Sequence, residues 1–338
     1  MSQINVDAIR ASNGTGDAIS LTASSDTCTA NITNVPGRNL VINGAAQVHQ
    51  RGGTSTSSAY VLDRWYFSTS QGTGTCSQGT ETSGTVYEKG LSKYIRITNT
   101  ANSTAANAYR YILQRLEGQD IVNSGWNFKS ASSYITLSFW VRSSHAQNFY
   151  GYLRALDSPD SKYLFDTGSL TADTWTKVTK KIPGYTSMAI DNDNTGAFEV
   201  LFAPFWGTDF TASPSLNTWA AWNSGERAPD YATTWVAADG ATFDITGVQL
   251  EVGDYATDYE HRSYGDELAK CERYYTTNPN VYFSSVMSVQ HFFPQTMRAA
   301  PTVTHDHSGG SVSNINEHGF MGFNSGNTVA DFYANAEL

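Results

Sequence analysis

Two short stretches of this chain space oxygen and nitrogen donors closely enough to hold a metal. Asp191-Asn-Asp193-Asn-Thr-Gly196 sets out carboxylates and amides as a calcium loop begins. Phe202 stands where an EF-hand would place its bidentate glutamate, which excludes that motif. The favoured reading is a polar turn between strands, since Asp, Asn and Gly are what turns use. A single structural Ca²⁺ held by Asp191 and Asp193 is the second. His305-Asp-His307 would put both imidazoles on one side of a strand. In a trimer, three such pairs would supply six nitrogens to a metal on the axis. Ser-Gly-Gly follows directly and favours a solvated loop instead. No other cofactor is expected.

The aromatic residues offer a different chemistry. Sugar rings present apolar C–H faces that stack on Trp and Tyr, while Arg, Asp, Asn and Gln satisfy their hydroxyls. Trp140 with Arg142, and Tyr150 with Tyr152 and Arg154, fall on the polar-leaning faces of two predicted strands, and these five are the candidate glycan-binding residues. Trp206, Trp219 and Trp222 fall near or within a loop-rich stretch, 205–231. The competing reading packs all these aromatics between sheets or against another copy of the chain, and it is the favoured one, because large sandwich cores use Trp and Tyr routinely. His49, His145, His261 and His291 are isolated and read as surface or hydrogen-bonded residues.

Catalytic constellations are scarce. The chain has no G-x-S-x-G elbow, no phosphate-binding G-x-x-x-x-G-K-[ST] and no H-E-x-x-H. Carboxylates occur, but glycoside hydrolysis needs two that converge in space, which sequence does not display. The expectation is a protein that is not an enzyme.

The elements that must position these residues are mostly strands. Ile135, Leu137, Phe139 and Val141 alternate with Tyr134, Thr136, Ser138, Trp140 and Arg142, the period of a half-buried strand. Tyr109, Tyr111 and Leu113 likewise oppose Arg110, Ile112 and Gln114, and similar runs cover 149–156, 175–182 and 198–206. Short strands separated by turn residues predict an all-β, two-sheet antiparallel sandwich over 39–262, whose jelly-roll topology only the resemblance given below implies. The stretch 241–275 is a seam. Phe243 and Ile245 are followed, one residue out of phase at Gly247, by Val248, Leu250 and Val252, which predicts a β-bulge. A helix is predicted from Ser263, with Asp266 in capping-box position and Tyr264, Leu268, Cys271 and Tyr275 on one face. Residues 263–338 then form a small C-terminal domain of one helix plus strands. Residues 1–38, poor in apolar side chains, read as an extended N-terminal anchor or oligomerisation segment, or as a disordered tail.

Composition narrows the class further. Charged residues make up 15% and aromatics 13% of the 338 residues, a mix suited to strands and turns rather than a helical bundle. A formal net charge of −10 with no basic run argues against binding nucleic acid. No apolar run is long enough to span a bilayer as a helix, and MSQINVDAIR lacks the pattern of a secretory leader. Cys28, Cys76 and Cys271 are odd in number and widely spaced, so they suggest neither a disulfide framework nor a zinc site. That suits synthesis in a reducing cytoplasm, with Cys271 a small buried apolar residue.

NLVINGAAQVHQRGG (39–53), LDRWYF (62–67), QRLEGQDI (114–121), SFWVRSS (138–144) and ITGVQLEVG with the DYEHRSYGDELAKCERYY that follows resemble, in order, segments of tail-fibre and other appendage proteins of tailed bacteriophages. The likeness is to the type found in phages of marine bacteria and cyanobacteria, and it runs over most of the chain from Asn39. The order of features from Ser138 to Pro183 is similar to the jelly roll of carbohydrate-binding modules. The resemblance implies a virion structural protein, made in the host cytoplasm. It would be a homotrimeric tail-fibre or spike-like subunit joined to other virion proteins through 1–38 and binding a host surface glycan. A capsid decoration or cement protein is the alternative. A polysaccharide-degrading tailspike is third, since no β-helix repeat is apparent.

Overall fold

In a computed structural model of the protein, the strand Tyr134–Ser143 buries Ile135, Leu137, Phe139 and Val141 completely and turns Trp140 and Arg142 to the opposite face. The structure describes residues 8–10, 17–22, 27–30, 37–284, 287–306, 310–324 and 328–338. The same alternation recurs along the chain and assembles two antiparallel sheets, each apolar on the side that faces the other. One has six strands in the order Thr176–Pro183, Tyr134–Ser143, Thr242–Val252, Lys93–Ala101, Thr73–Thr80, Thr54–Ser55. The other has seven, in the order Trp219–Ala221, Ser161–Ser169, Asn148–Ala155, Gly196–Trp206, Tyr109–Glu117, Trp65–Ser70, Ala59–Leu62. The chain changes sheet repeatedly as it advances, and the result is the two-sheet antiparallel sandwich expected from the strand pattern, with the jelly-roll form that the resemblance implies. Trp65, Phe67, Phe139, Phe165, Phe198 and Phe202 fill the space between, with Phe139 set edge-on to Phe202 at 4.7 Å.

Gly247 sits at φ +61° in the middle of Thr242–Val252. There the register to Tyr134–Ser143 slips, from Ser138 opposite Gln249 to Trp140 opposite Thr246. The extra residue is the predicted bulge, and it keeps both Ile245 and Leu250 in the core. After the strand, residues 253–262 fold back over its outer face as a strap. Glu251 accepts from the amide of Thr257 at 2.8 Å, and Gln249 accepts from the amide of Glu260 at 2.8 Å. Thr136 donates to the carbonyl of Gly253 at 2.9 Å. Polar residues that a two-layer sandwich would leave in water are therefore buried and satisfied.

Ser263 caps the helix Tyr264–Glu272 as its sequence indicates, accepting from the amide of Asp266 at 3.1 Å. The buried face differs from expectation. Cys271 and Tyr275 are buried as their spacing predicts, but Tyr264 is 57% exposed, and Glu267 and Tyr274 point inward as well. Burying Glu267 is tolerated because Arg262 and the Asn43 amide meet its carboxylate. Beyond the helix lie two three-stranded sheets with their own core of Phe283, Phe293, Phe320 and Phe332. Together, residues 39–338 make one compact unit. Within residues 1–38, the strands Ala8–Arg10, Asp17–Thr22 and Thr27–Ala30 form an antiparallel meander. Cys76 and Cys271 are buried free thiols.

Candidate functional site

On the outer face of the six-stranded sheet, Trp140 lines a cleft of about 420 Å³. Ser138 precedes it on the same strand face, and Lys177 is its cross-strand partner on Thr176–Pro183. These three residues and Gly247 form the floor. One wall is the turn carrying Glu88, Lys89 and Leu91, and the other is the strap, through Asp258, Tyr259 and His261. Leu91, with Ala45 and Val86, makes a small apolar cluster against which Trp140 and Tyr259 pack. The tryptophan is thus half-buried and held, rather than free on a loop.

The walls approach closely because two glycines allow it. A Cβ on Gly247 would lie 2.7 Å from Leu91 Cδ1 and 3.2 Å from Trp140 Cδ1. Gly90, at φ +77°, passes the ring of His261 where a Cβ would lie 2.8 Å from its Cε1. Burial pushes the Tyr259 hydroxyl up, so it stays a neutral hydrogen-bonding group at any ordinary pH.

Arg142, two residues from Trp140 on the same face, does not reach the cleft. Its guanidinium is held by Asp244 at 2.9 Å and by Glu81 at 3.2 Å, and it lies 4.5 Å over Trp175. Asp244 is fully buried and also takes both ends of the Arg96 fork, at 2.8 and 2.9 Å. Trp175 donates from Nε1 to Glu81 at 3.1 Å. Arg142 therefore braces the sheet beside the cleft, with each of its three nitrogens directed at a carboxylate of the protein.

Tyr150, Tyr152 and Arg154 lie on the outer face of the seven-stranded sheet, on the opposite side of the sandwich, so the five candidates do not form one site. Tyr152 is 3% exposed beneath Trp222, and burial raises its hydroxyl well above the ordinary range. Tyr150 is half-covered by Tyr231, edge-on at 4.9 Å. Arg154 pairs with Asp160 and stacks on Trp222 at 3.7 Å. The loop-rich stretch 207–231 thus folds down as a cover over this face, and Tyr152 and Arg154 are packing residues. Trp219 is in the main core and donates to the Pro183 carbonyl at 2.7 Å.

The metal candidates fall as follows. The Asp193 carboxylate accepts from the amide and hydroxyl of Thr195, at 2.9 and 2.7 Å, and closes the turn that its sequence suggests. The Asp191 amide donates to Asp157 at 2.8 Å. His305 ends a short strand with its ring 5.6 Å from that of Phe283, and His307 lies outside the described residues. Among the described residues no three His, Cys, Asp or Glu side chains gather as a metal site would require.

Sequence reading picks out Trp140 but misses Lys177, Lys89, Tyr259 and His261, which long-range pairing brings to it. The only local signal is that Tyr259 and His261 lie within the stretch carrying the resemblance.

No family model matches the chain, and no curated protein does. Among solved structures, the enzymatically active domain of tailspike protein 4 of bacteriophage CBA120 is similar over 65% of this chain, at 12% identity and a TM-score of 0.34. This chain spans 22% of that protein's length. The family 11 carbohydrate-binding module of Clostridium thermocellum is similar over 62% of this chain and 98% of its own, at 13% identity and a TM-score of 0.29. The tripod from the baseplate of bacteriophage Tuc2009 is similar over 73% of this chain and 66% of its own, at 12% identity and a TM-score of 0.29. Likeness at this level carries no inference about activity.

Proposed function

We propose that this chain is a virion appendage subunit of a tailed bacteriophage, of tail-fibre or spike type, that holds a host surface glycan in the Trp140 cleft. The observation that carries the binding role is the cleft itself. A fixed indole forms its floor, flanked by hydroxyl, ammonium and carboxylate groups, the combination that a sugar's apolar face and polar rim require. The appendage role rests on the ordered sequence resemblance from Asn39 onward. We take the function to be binding without turnover, in a homotrimer whose weak single sites act together on a cell surface. Residues 1–38 would join it to other virion proteins.

Trp140→Ala tests the site. It abolishes adsorption to host cells and retention on immobilised host polysaccharide, while the circular dichroism spectrum is kept. Unchanged adsorption would sink the binding role. Immunogold labelling of particles then distinguishes the tail from the capsid, where label on the head would favour a decoration protein. Solution mass measurement reads the trimer directly. Release of oligosaccharides from host polysaccharide by the purified protein would overturn the non-catalytic reading.

A further inference from the structure

The charges at the cleft point to the kind of sugar it takes. Lys177 stands beside Trp140 across the pair of strands, and Lys89 reaches in from the facing wall. Both are exposed, and neither ammonium meets a carboxylate among the described residues. Elsewhere on the same strand lysines are used differently, since Lys180 pairs with Asp166 at 2.8 Å and Lys181 with Asp254 at 3.0 Å. The protein as a whole carries a formal charge of −10, which repels a polyanion at long range. At physiological salt that repulsion is screened beyond about 8 Å, so the groups lining the cleft decide what binds. Glu88, on the wall beside Lys89, offers an acceptor for a ring hydroxyl.

We propose that the cleft selects a pyranose bearing an anionic substituent. The ring stacks on Trp140, the acid group lies against Lys177, and Lys89 meets the next acidic residue of the chain. This rests on the Trp140 cleft being the saccharide site. A carboxylate and a sulfate share the required chemistry, and the test separates them.

Isothermal titration of the intact protein with an oligogalacturonate, a sulfated galactan oligosaccharide and a neutral galacto-oligosaccharide of equal length decides it. The expected result is tighter binding of one acidic probe than of the neutral one. Lys177→Ala would weaken that probe about fivefold, the worth of one exposed ion pair, and weaken the neutral probe by clearly less. Raising salt would erode the same difference. The better of the two acidic probes identifies carboxylate or sulfate. Equal binding of acidic and neutral probes, insensitive to Lys177→Ala but lost in Trp140→Ala, would overturn the anionic preference and leave the glycan site standing. Binding of any probe that survives Trp140→Ala, or no binding at all, would overturn the site and the preference together.

Discussion

The guanidinium carbon of Arg64 lies 3.4 Å from the ring centre of Tyr274. Arg64 comes from LDRWYF and Tyr274 from the end of the capped helix, so two of the stretches that resemble phage appendages meet face to face. Around them the network continues. Arg64 pairs with Glu337 and donates to the Arg115 carbonyl, while Glu117 takes Arg273 at 2.8 Å and the Tyr274 hydroxyl. The motif residues hold the C-terminal part to the sandwich, and they do so with buried charge.

Arg64 is 1% exposed and Glu337 3%, so removing Arg64 takes away the nearer of the two buried partners of Glu337 and leaves Arg51, at 3.2 Å, as its remaining charged contact. Arg64→Met is expected to lower the unfolding free energy by about 3–5 kcal/mol. Combining it with Glu337→Gln restores part of the loss. Urea denaturation of the single and double variants measures both.

Gly247→Ala forces a side chain into the left-handed region and drives a methyl at Leu91 and Trp140. A loss of about 1–3 kcal/mol is expected. Saccharide binding should fall further than stability alone explains, because the displaced groups are the floor and wall of the cleft. Thermal melting and titration on the same sample separate the two effects.

Ser263→Ala removes the acceptor for the Asp266 amide. The expected cost is about 1 kcal/mol, and the local opening of the helix amides should rise with it in hydrogen exchange. Ser263→Asn would recover most of the loss.

Asp166 reports on acid stability. Burial works against its charge and is the largest single influence, but the hydrogen bond and charge of Lys180, with the hydrogen bond from Asn148, together outweigh it and hold the carboxyl below its ordinary 3.8. The folded state therefore binds fewer protons than the unfolded state as pH falls through 3.8. The stabilisation is complete above that value and is lost as pH drops through the lower folded pKa. Asp166→Asn should cost about 0.5 kcal/mol at neutral pH, since the pair is partly exposed, and should match the parent protein at pH 2. Denaturation midpoints at both pH values check it.

Local signals survive the passage from sequence to fold best. The phase slip at Gly247 and the cap at Ser263 each involve a few neighbouring residues, and both stand where the chain indicates. The inner faces of the strands were equally plain, since Phe139 or Ile245 has nowhere else to go. Glu267 was not legible, because its partners Asn43 and Arg262 arrive from outside the helix. The same limit applies to the cleft. Nothing near Trp140 in sequence announces Lys177, which the sheet register supplies, or His261, which the strap brings over. Tyr152 alternates as an outward residue should, and only the folded 207–231 stretch hides it.

The strap 253–262 ends in Arg262, whose guanidinium reaches the Asn39 and Val41 carbonyls and the carboxylates of Glu260 and Glu267. Its other end is tied to Tyr134 and Thr136 through Gly253. The wall that carries Tyr259 and His261 is thus immobilised when the protein folds. A ligand entering beside Trp140 has little conformational entropy left to remove from this side, so even a weak contact is returned as net affinity.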